Sequence, residues 1–190
     1  MHEIMNIIKS RRSIRNFSDE QIKQEELDVI LEAGMYAPSA AGKQAWHFTV
    51  VQNQQILDEI ASEAKKIFRS MDIEFLQNLG ANEQFHPFFH APTVIIISGA
   101  VNSIAPNSDC AVAAQNMMLA AESLHIGSCW ISAAAVITQT EEGKEIIKKL
   151  GLPEGHAPFN SVALGYKKAE RHDAPPRREG VVHYIRSKRE

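Results

Sequence analysis

The chain has 190 residues, 44% hydrophobic and 23% charged, with a net charge of −3. That length supports a substantial core, and the composition is ordinary for a soluble globular protein, so 1–190 reads as a single domain. A mildly acidic body lacks the basic excess of a general nucleic-acid binder. Cys110 and Cys129 are the only cysteines, too few for a disulfide framework, which suits a reducing cytoplasm. The first eight residues carry no apolar run with a cleavage site, the apolar runs are too short to span a membrane, and no repeat is evident.

In chain order, Ile4, Ile7 and Ile8 give Glu3 to Lys9 helical spacing. The stretch Ser10 to Phe17 then places Arg11, Arg12 and Arg15 within five residues, with Ser13 between them. Such a cluster repels itself and gains little unless it holds an anion, and the arginine fork fits phosphate. A second pair, Arg177 and Arg178, follows two prolines near the other end. The two clusters are expected to meet over one phosphate group; the alternative is solvated surface charge.

Leu27, Ile30, Leu31 and Gly34 make Gln24 to Met35 a helix, stopped by Pro38. Residues 38–42 are small and turn-prone, which allows close backbone approach to a ligand. Trp46 to Val51 alternates as a strand. Asn53 caps a long helix with one apolar stripe from Ile56 to Met71, and Gly80 marks its end. The loop from Gly80 to Pro92 carries Phe85, Phe88 and Phe89, which either cover a pocket or pack onto the core. Val94 to Ile97 is a β-branched run, hence a strand buried on both faces.

Asp109 to His125 is apolar on nearly every side, with Ser108 or Asp109 as cap and Gly127 beyond its end, so its own domain or a second subunit must wrap it. Ser128 to Ala134 is small and apolar around Trp130. Thr140 caps a helix from Glu141 to Leu150. Val162 to Leu164 is a short strand ending at Gly165. From Tyr166 the chain becomes an extended polar tail, and Val181 to Ile185 reads as a last strand suited to another subunit's sheet edge. The order is α+β, without regular βαβ alternation.

Gly-x-Gly-x-x-Gly, Walker and Gly-x-Ser-x-Gly motifs are missing. His86 and His90 are four apart, but Pro87 breaks the helix that metal-binding spacing needs, so no metal is expected. Cys129 reads as a small buried hydrophobe.

Three stretches together resemble the nitroreductase family of FMN-dependent oxidoreductases. They are Arg11-Arg12-Ser13-Ile14-Arg15-Asn16-Phe17, the run from Ala37 to Phe48, and Gln115-Asn116-Met117 through Gly127-Ser128-Cys129-Trp130-Ile131, followed by Leu164-Gly165-Tyr166 and Arg177-Arg178. The resemblance implies an α+β fold with a central, mainly antiparallel sheet flanked by helices. It also implies an intertwined homodimer that exchanges C-terminal strands and has FMN sites in its interface. Arg11, Arg12 and Ser13 would bind the FMN phosphate and ribityl chain, and Arg15 would lie near N1 and O2 of the ring. Pro38, Ser39 and Ala40 would come from the partner subunit, with Gln44 also among the cofactor contacts. Ile131, Ser132 and Ala133 would pass the ring near N5, and Arg177 with Arg178 would close on the phosphate. Many relatives have serine where Ala40 stands and proline where Ala45 stands; the first difference leaves Ala40 only a backbone contact.

The implied activity is ping-pong transfer of hydride from NAD(P)H through the flavin to a nitroaromatic, quinone or similar small acceptor. FMN carries the chemistry, and no side chain is an obvious general acid. The rival reading is a non-redox protein holding FMN or another phosphate ligand as sensor or store.

Overall fold

Val94, Ile95, Ile96 and Ile97 offer no polar break, so the strand they form must be covered on both faces. In the computed structural model, which describes residues 3–168 and 173–186, all four are fully buried within β2 (Thr93–Ala100). Around it stand β1 (Trp46–Val51), β3 (Ile126–Ile131) and β4 (His156–Tyr166), in the order β1-β2-β4-β3 with every neighbour antiparallel. The period of two divides the core between the faces. Ile95, Ile97, Val162 and Leu164 pack under α2 (Gln24–Met35) and α5 (Pro106–Ser123). Val94, Ile96 and Ala163 pack under α3 (Gln54–Ser70) and α6 (Ala133–Val136). The expected α+β layout with a sheet between helices is therefore formed. The first helix, α1 (Glu3–Ser10), lies against α5.

Several elements differ from the sequence reading. The long helix after Asn53 is two helices, α3 and α4 (Glu74–Ala81), because Met71 and Ile73 take extended backbone between them. Gly80 does not end a helix. It lies where α4 folds back on α3, and a Cβ there would stand 2.7 Å from the Lys65 carbonyl oxygen. Helix α5 begins at Pro106, a first-turn proline, so Asp109 lies inside its first turn and is not the cap. Its own chain buries most of its sides; Val112 remains 38% exposed. Gly127 belongs to β3, and the turn out of α5 is made by His125 at φ 60°. The short strand near Val162 extends over eleven residues as β4.

Thr140 caps α7 (Glu141–Lys148) as expected, its Oγ1 accepting the Gly143 N–H at 3.0 Å. The expected last strand is not formed within this chain. Residues 173–186 have no ladder partner among the described residues and bend at 179–180, and residues 169–172 of the expected tail lie outside them. Val181, Val182, Tyr184 and Ile185 are 69, 64, 69 and 93% exposed. A strand requires a neighbouring edge to receive its backbone hydrogen bonds, and this segment has none here. Among the described residues, no helix is long and apolar enough to cross a membrane.

Candidate active site

After α1 the chain passes along the outer edge of β3. Ser13 forms a parallel bridge with Ser128, and the Ile14 N–H donates to the Ser128 carbonyl at 2.9 Å. Further on, the Ser18 N–H donates to Tyr166 at 2.9 Å, and the Lys168 N–H donates to Asn16 at 3.1 Å. Ile14 and Phe17 are buried, while Arg15 between them is exposed. Two strand glycines make this seating possible. A Cβ on Gly127 would stand 3.0 Å from Ile14, and one on Gly165 would stand 3.1 Å from Phe17. Buried Glu122 ties the segment down, accepting from Ser10 Oγ at 2.8 Å and from Lys167 Nζ at 2.9 Å.

Arg11, Arg12, Ser13 and Arg15 line a cavity of about 400 Å³ together with Asp173, Pro175 and Arg177. The two ends of the chain therefore do meet. Among the described residues none of Arg11, Arg12, Arg15 or Arg177 forms an ion pair. The Nε of Arg12 is buried without a hydrogen-bond partner. A buried donor left unmatched costs free energy, and an anion in this cavity would offset it. Arg178 is exposed and does not line the cavity.

Arg15 also borders a second cavity, of about 260 Å³. Ile131, Ser132 and Ala133 line it with Cys129 and Trp130. Its aromatic and apolar wall comes from Phe75, Leu76 and Leu79 of α4 and from Phe85, Pro87 and Phe89 of the following loop. The α4 contribution is hidden in the sequence because the apolar spacing runs on through the break between α3 and α4. Of the three loop phenylalanines, Phe88 anchors the core with no exposure, and Phe85 and Phe89 form the wall. The Arg15 guanidinium lies 5.7 Å from the Phe89 ring centroid. Burial pushes the Cys129 thiol up, partly offset by Arg15, so it stays neutral and is a poor nucleophile.

Pro38, Ser39, Ala40 and Gln44 lie elsewhere. They precede β1, at the opposite edge of the sheet from β3. The Ala40 N–H donates to Asp109 Oδ1 at 3.0 Å, and the Gln44 N–H donates to Ser39 Oγ at 2.9 Å. Ala41, Gly42 and Gln44 have φ of 51°, 65° and 49°, left-handed backbone interrupted by Lys43 at φ −72°, and strain is stored at the two non-glycine positions. Ala40 thus has no free backbone donor for a ligand, but the Ser39 hydroxyl keeps its proton to donate. Within one chain these residues do not reach the arginine cavity.

Asp58, His86 and His90 bring three ligand-type atoms within 4.8 Å of one another, despite Pro87. A left-handed turn, not a helix, achieves this. His86 Nδ1 accepts the Phe88 N–H at 3.1 Å, which puts the ring's proton on Nε2, facing Asp58 Oδ1 at 3.3 Å. A metal-bound histidine has the reverse pattern, ligating through one nitrogen and donating from the other. The cluster is built as a hydrogen-bonded turn.

The chain matches the Nitroreductase family over residues 8–166. A crystal structure of a nitroreductase with bound FMN from Bacteroides fragilis is 36% identical and superposes with a TM-score of 0.89, covering 98% of this chain and all of that one. A chain from Archaeoglobus fulgidus, provisionally named an NADH dehydrogenase/NAD(P)H nitroreductase, is 35% identical across 90% of this chain and 89% of its own length. The FMN reductase [NAD(P)H] of Bacillus subtilis is 29% identical, covering 96% of this chain and 74% of that one. With the arginine segment seated on β3, the antiparallel order β1-β2-β4-β3 and a match across most of its length, this chain belongs to the nitroreductase family.

Proposed function

We propose that this chain is an FMN-dependent oxidoreductase that takes electrons from NAD(P)H and gives them to a nitroaromatic, a quinone or a similar electron-poor acceptor. One observation carries the reading. Arginines from both ends of the chain line a single cavity, and it adjoins an aromatic-walled cavity through Arg15. The first has the donors a phosphate needs; the second has the flat apolar walls a ring system needs.

Arg11, Arg12, Ser13 and Arg177 hold the FMN phosphate in this reading. Each charge-assisted hydrogen bond contributes ~1.5–3 kcal/mol, so a few retain the cofactor without a covalent link. Arg15 supplies a fixed cation where the ring gains negative charge on reduction. Bound FMN supplies the two-electron chemistry that couples donor to acceptor in alternating half-reactions. Ile131, Ser132 and Ala133 form one wall of the ring site, and the α4 and loop aromatics form the other. Among the described residues no carboxylate or imidazole lines that cavity, so solvent supplies the protons.

The working unit is an intertwined homodimer. Pro38, Ser39 and Ala40 stand too far along the sheet to serve their own chain's arginines, so the partner copy contributes them. The exposed apolar tail at Val181 to Ile185 joins the partner's sheet.

The test is the visible spectrum of the purified protein. A flavin band is expected, lost on anaerobic addition of NADPH and restored by a quinone. A protein that neither takes up FMN nor reacts with NADH or NADPH would end this reading; one that binds FMN but leaves it oxidised would favour the non-redox alternative.

A further inference from the structure

The loop between α4 and β2 contains a strained turn beside the ring cavity. Phe89 and His90 have φ of 54° and 52°, a conformation that costs a non-glycine residue about 1 kcal/mol or more. Three hydrogen bonds of 3.1 Å or less hold it, beside a longer one from the His90 N–H to His86 Nδ1 at 3.5 Å. The Phe89 N–H donates to the His86 carbonyl at 2.8 Å, the Ala91 N–H to the Phe88 carbonyl at 3.0 Å, and the Phe88 N–H to His86 Nδ1 at 3.1 Å. The third exists only while Nδ1 carries no proton. The turn buries Phe88 as its anchor and places Phe85 and Phe89 in the cavity wall, Phe89 against Arg15.

We propose that His86 is a positioning residue: its neutral imidazole caps the turn that holds Phe89 against Arg15, and its protonation loosens the wall of the ring cavity. This rests on the reading of that cavity as the flavin ring site, which the acceptor must enter to reach the ring.

Protonation at Nδ1 would set two N–H donors face to face, so the cap is lost and the strain at Phe89 and His90 is no longer offset. The charges around the ring determine when this happens. Asp58 of α3 faces Nε2 at 3.3 Å and favours the charged ring. Lys65 of α3 and His90, whose ring centroid is 4.3 Å away, disfavour it. On the side of the arginine segment His86 shares a cavity with Arg15, Asp19 and Lys168; on the α3 side it shares one with Lys66, Arg69 and Glu83.

Burial outweighs these and, with His90, holds the imidazole below its ordinary value of 6.5. The sign follows. An open loop binds protons near the ordinary value and a closed turn binds fewer, so the closed turn is fully stable above that value. It loses stability as pH falls below it, by at most roughly tenfold in the open–closed ratio per pH unit.

The experiment compares the wild type with His86→Asn and His86→Leu between about pH 5.5 and 8. Turnover is measured with NADPH and menadione, and amide-exchange protection at Phe88 is measured without substrate. Asparagine Oδ1 accepts the N–H two residues on, as in an Asx turn, and does not titrate. The wild type should show KM rising several-fold in acid, with kcat changing less, and protection at Phe88 falling in parallel. His86→Asn should keep both flat, and His86→Leu should have a raised KM at every pH. A wild-type Phe88 protection independent of pH, or an asparagine variant with the wild-type pH slope, overturns the proposal. Protection is read without flavin turnover, so it decides the role of the turn even if the proposed activity fails. Normal turnover with pH-independent protection removes His86 while leaving the activity intact.

Discussion

Ile14 and Phe17 carry no charge, yet they set where Arg11, Arg12 and Arg15 stand. Each drops into space left by a strand glycine, and the residues between them face outward. Gly165→Ala should therefore act at a distance. Its Cβ would meet Pro92 at 2.9 Å and Phe17 at 3.1 Å, and overpacking of this kind costs about 1–3 kcal/mol. Thermal denaturation should show the loss, and FMN retention should fall with it; an alanine variant with full stability and flavin content would show that Phe17 does not seat the segment. The arginines themselves divide by role. Arg11→Ala should weaken FMN retention by roughly ten- to a hundredfold, the worth of one charge-assisted hydrogen bond. Arg186→Ala, whose guanidinium lies over Tyr184 in the exposed tail, should barely change it. Equal retention by both variants, read from flavin content after dialysis, counts against the cavity. Arg15→Ala should instead lower the reduction potential of bound flavin, since a cation favours the reduced ring; an unchanged potential leaves Arg15 without that role.

Helices α3 and α4, folded against each other with close contact at Gly80, form a wall of the smaller cavity beside Arg15 through Phe68, Phe75, Leu76 and Leu79. The sequence showed Asn53 as a cap, the β-branched core strand and the arginine stretch, because each is a local pattern with a local cause. It did not show the break at Met71 to Ile73, where the apolar stripe runs on and no proline or glycine intervenes. Gly80 was visible but ambiguous: a glycine that ends a helix and one that admits a neighbouring backbone look alike without the partner. The occupied Ala40 N–H was equally hidden, since Asp109 reaches it from 69 positions away. The α3 side of the sheet also contains a pH-dependent joint. Buried Glu63 accepts from Lys66 Nζ at 2.8 Å and from Thr140 Oγ1 at 2.7 Å, joining α3 to the start of α7. The Lys66 hydrogen bond, then that of Thr140, holds its carboxyl below the ordinary value of 4.5. A depressed carboxylate stabilises the fold above the unfolded value and loses that contribution as pH falls through the folded one. Glu63→Gln should therefore be less stable near neutrality, by about 1–3 kcal/mol, and lose less on acidification below about pH 4.5. Parallel acid limbs for the two proteins in denaturant titrations would exclude this joint.

At the scale of the whole molecule, apolar surface is left open where a second copy would cover it. Ile4 and Ile8 on α1, Met35 and Tyr36 at the end of α2, and Val181 to Ile185 in the tail are all exposed. The site residues Pro38, Ser39 and Ala40 lie across the sheet from the arginines they were expected to join. Both features follow if the tail pairs with the partner's sheet edge and brings the two half-sites together. In that arrangement the tail would have two separable duties, because Arg177 lines the arginine cavity while the apolar residues beyond it would make contacts between subunits. Removing residues 181–190 should shift the protein toward monomer in light-scattering chromatography and lower its flavin content, although every arginine lining the phosphate cavity remains. Arg177→Ala in the full chain should lower flavin content and leave the oligomer intact. A truncated protein that stays dimeric with full flavin would separate the tail from assembly, and an Arg177 variant that dissociates would show that the two duties are one.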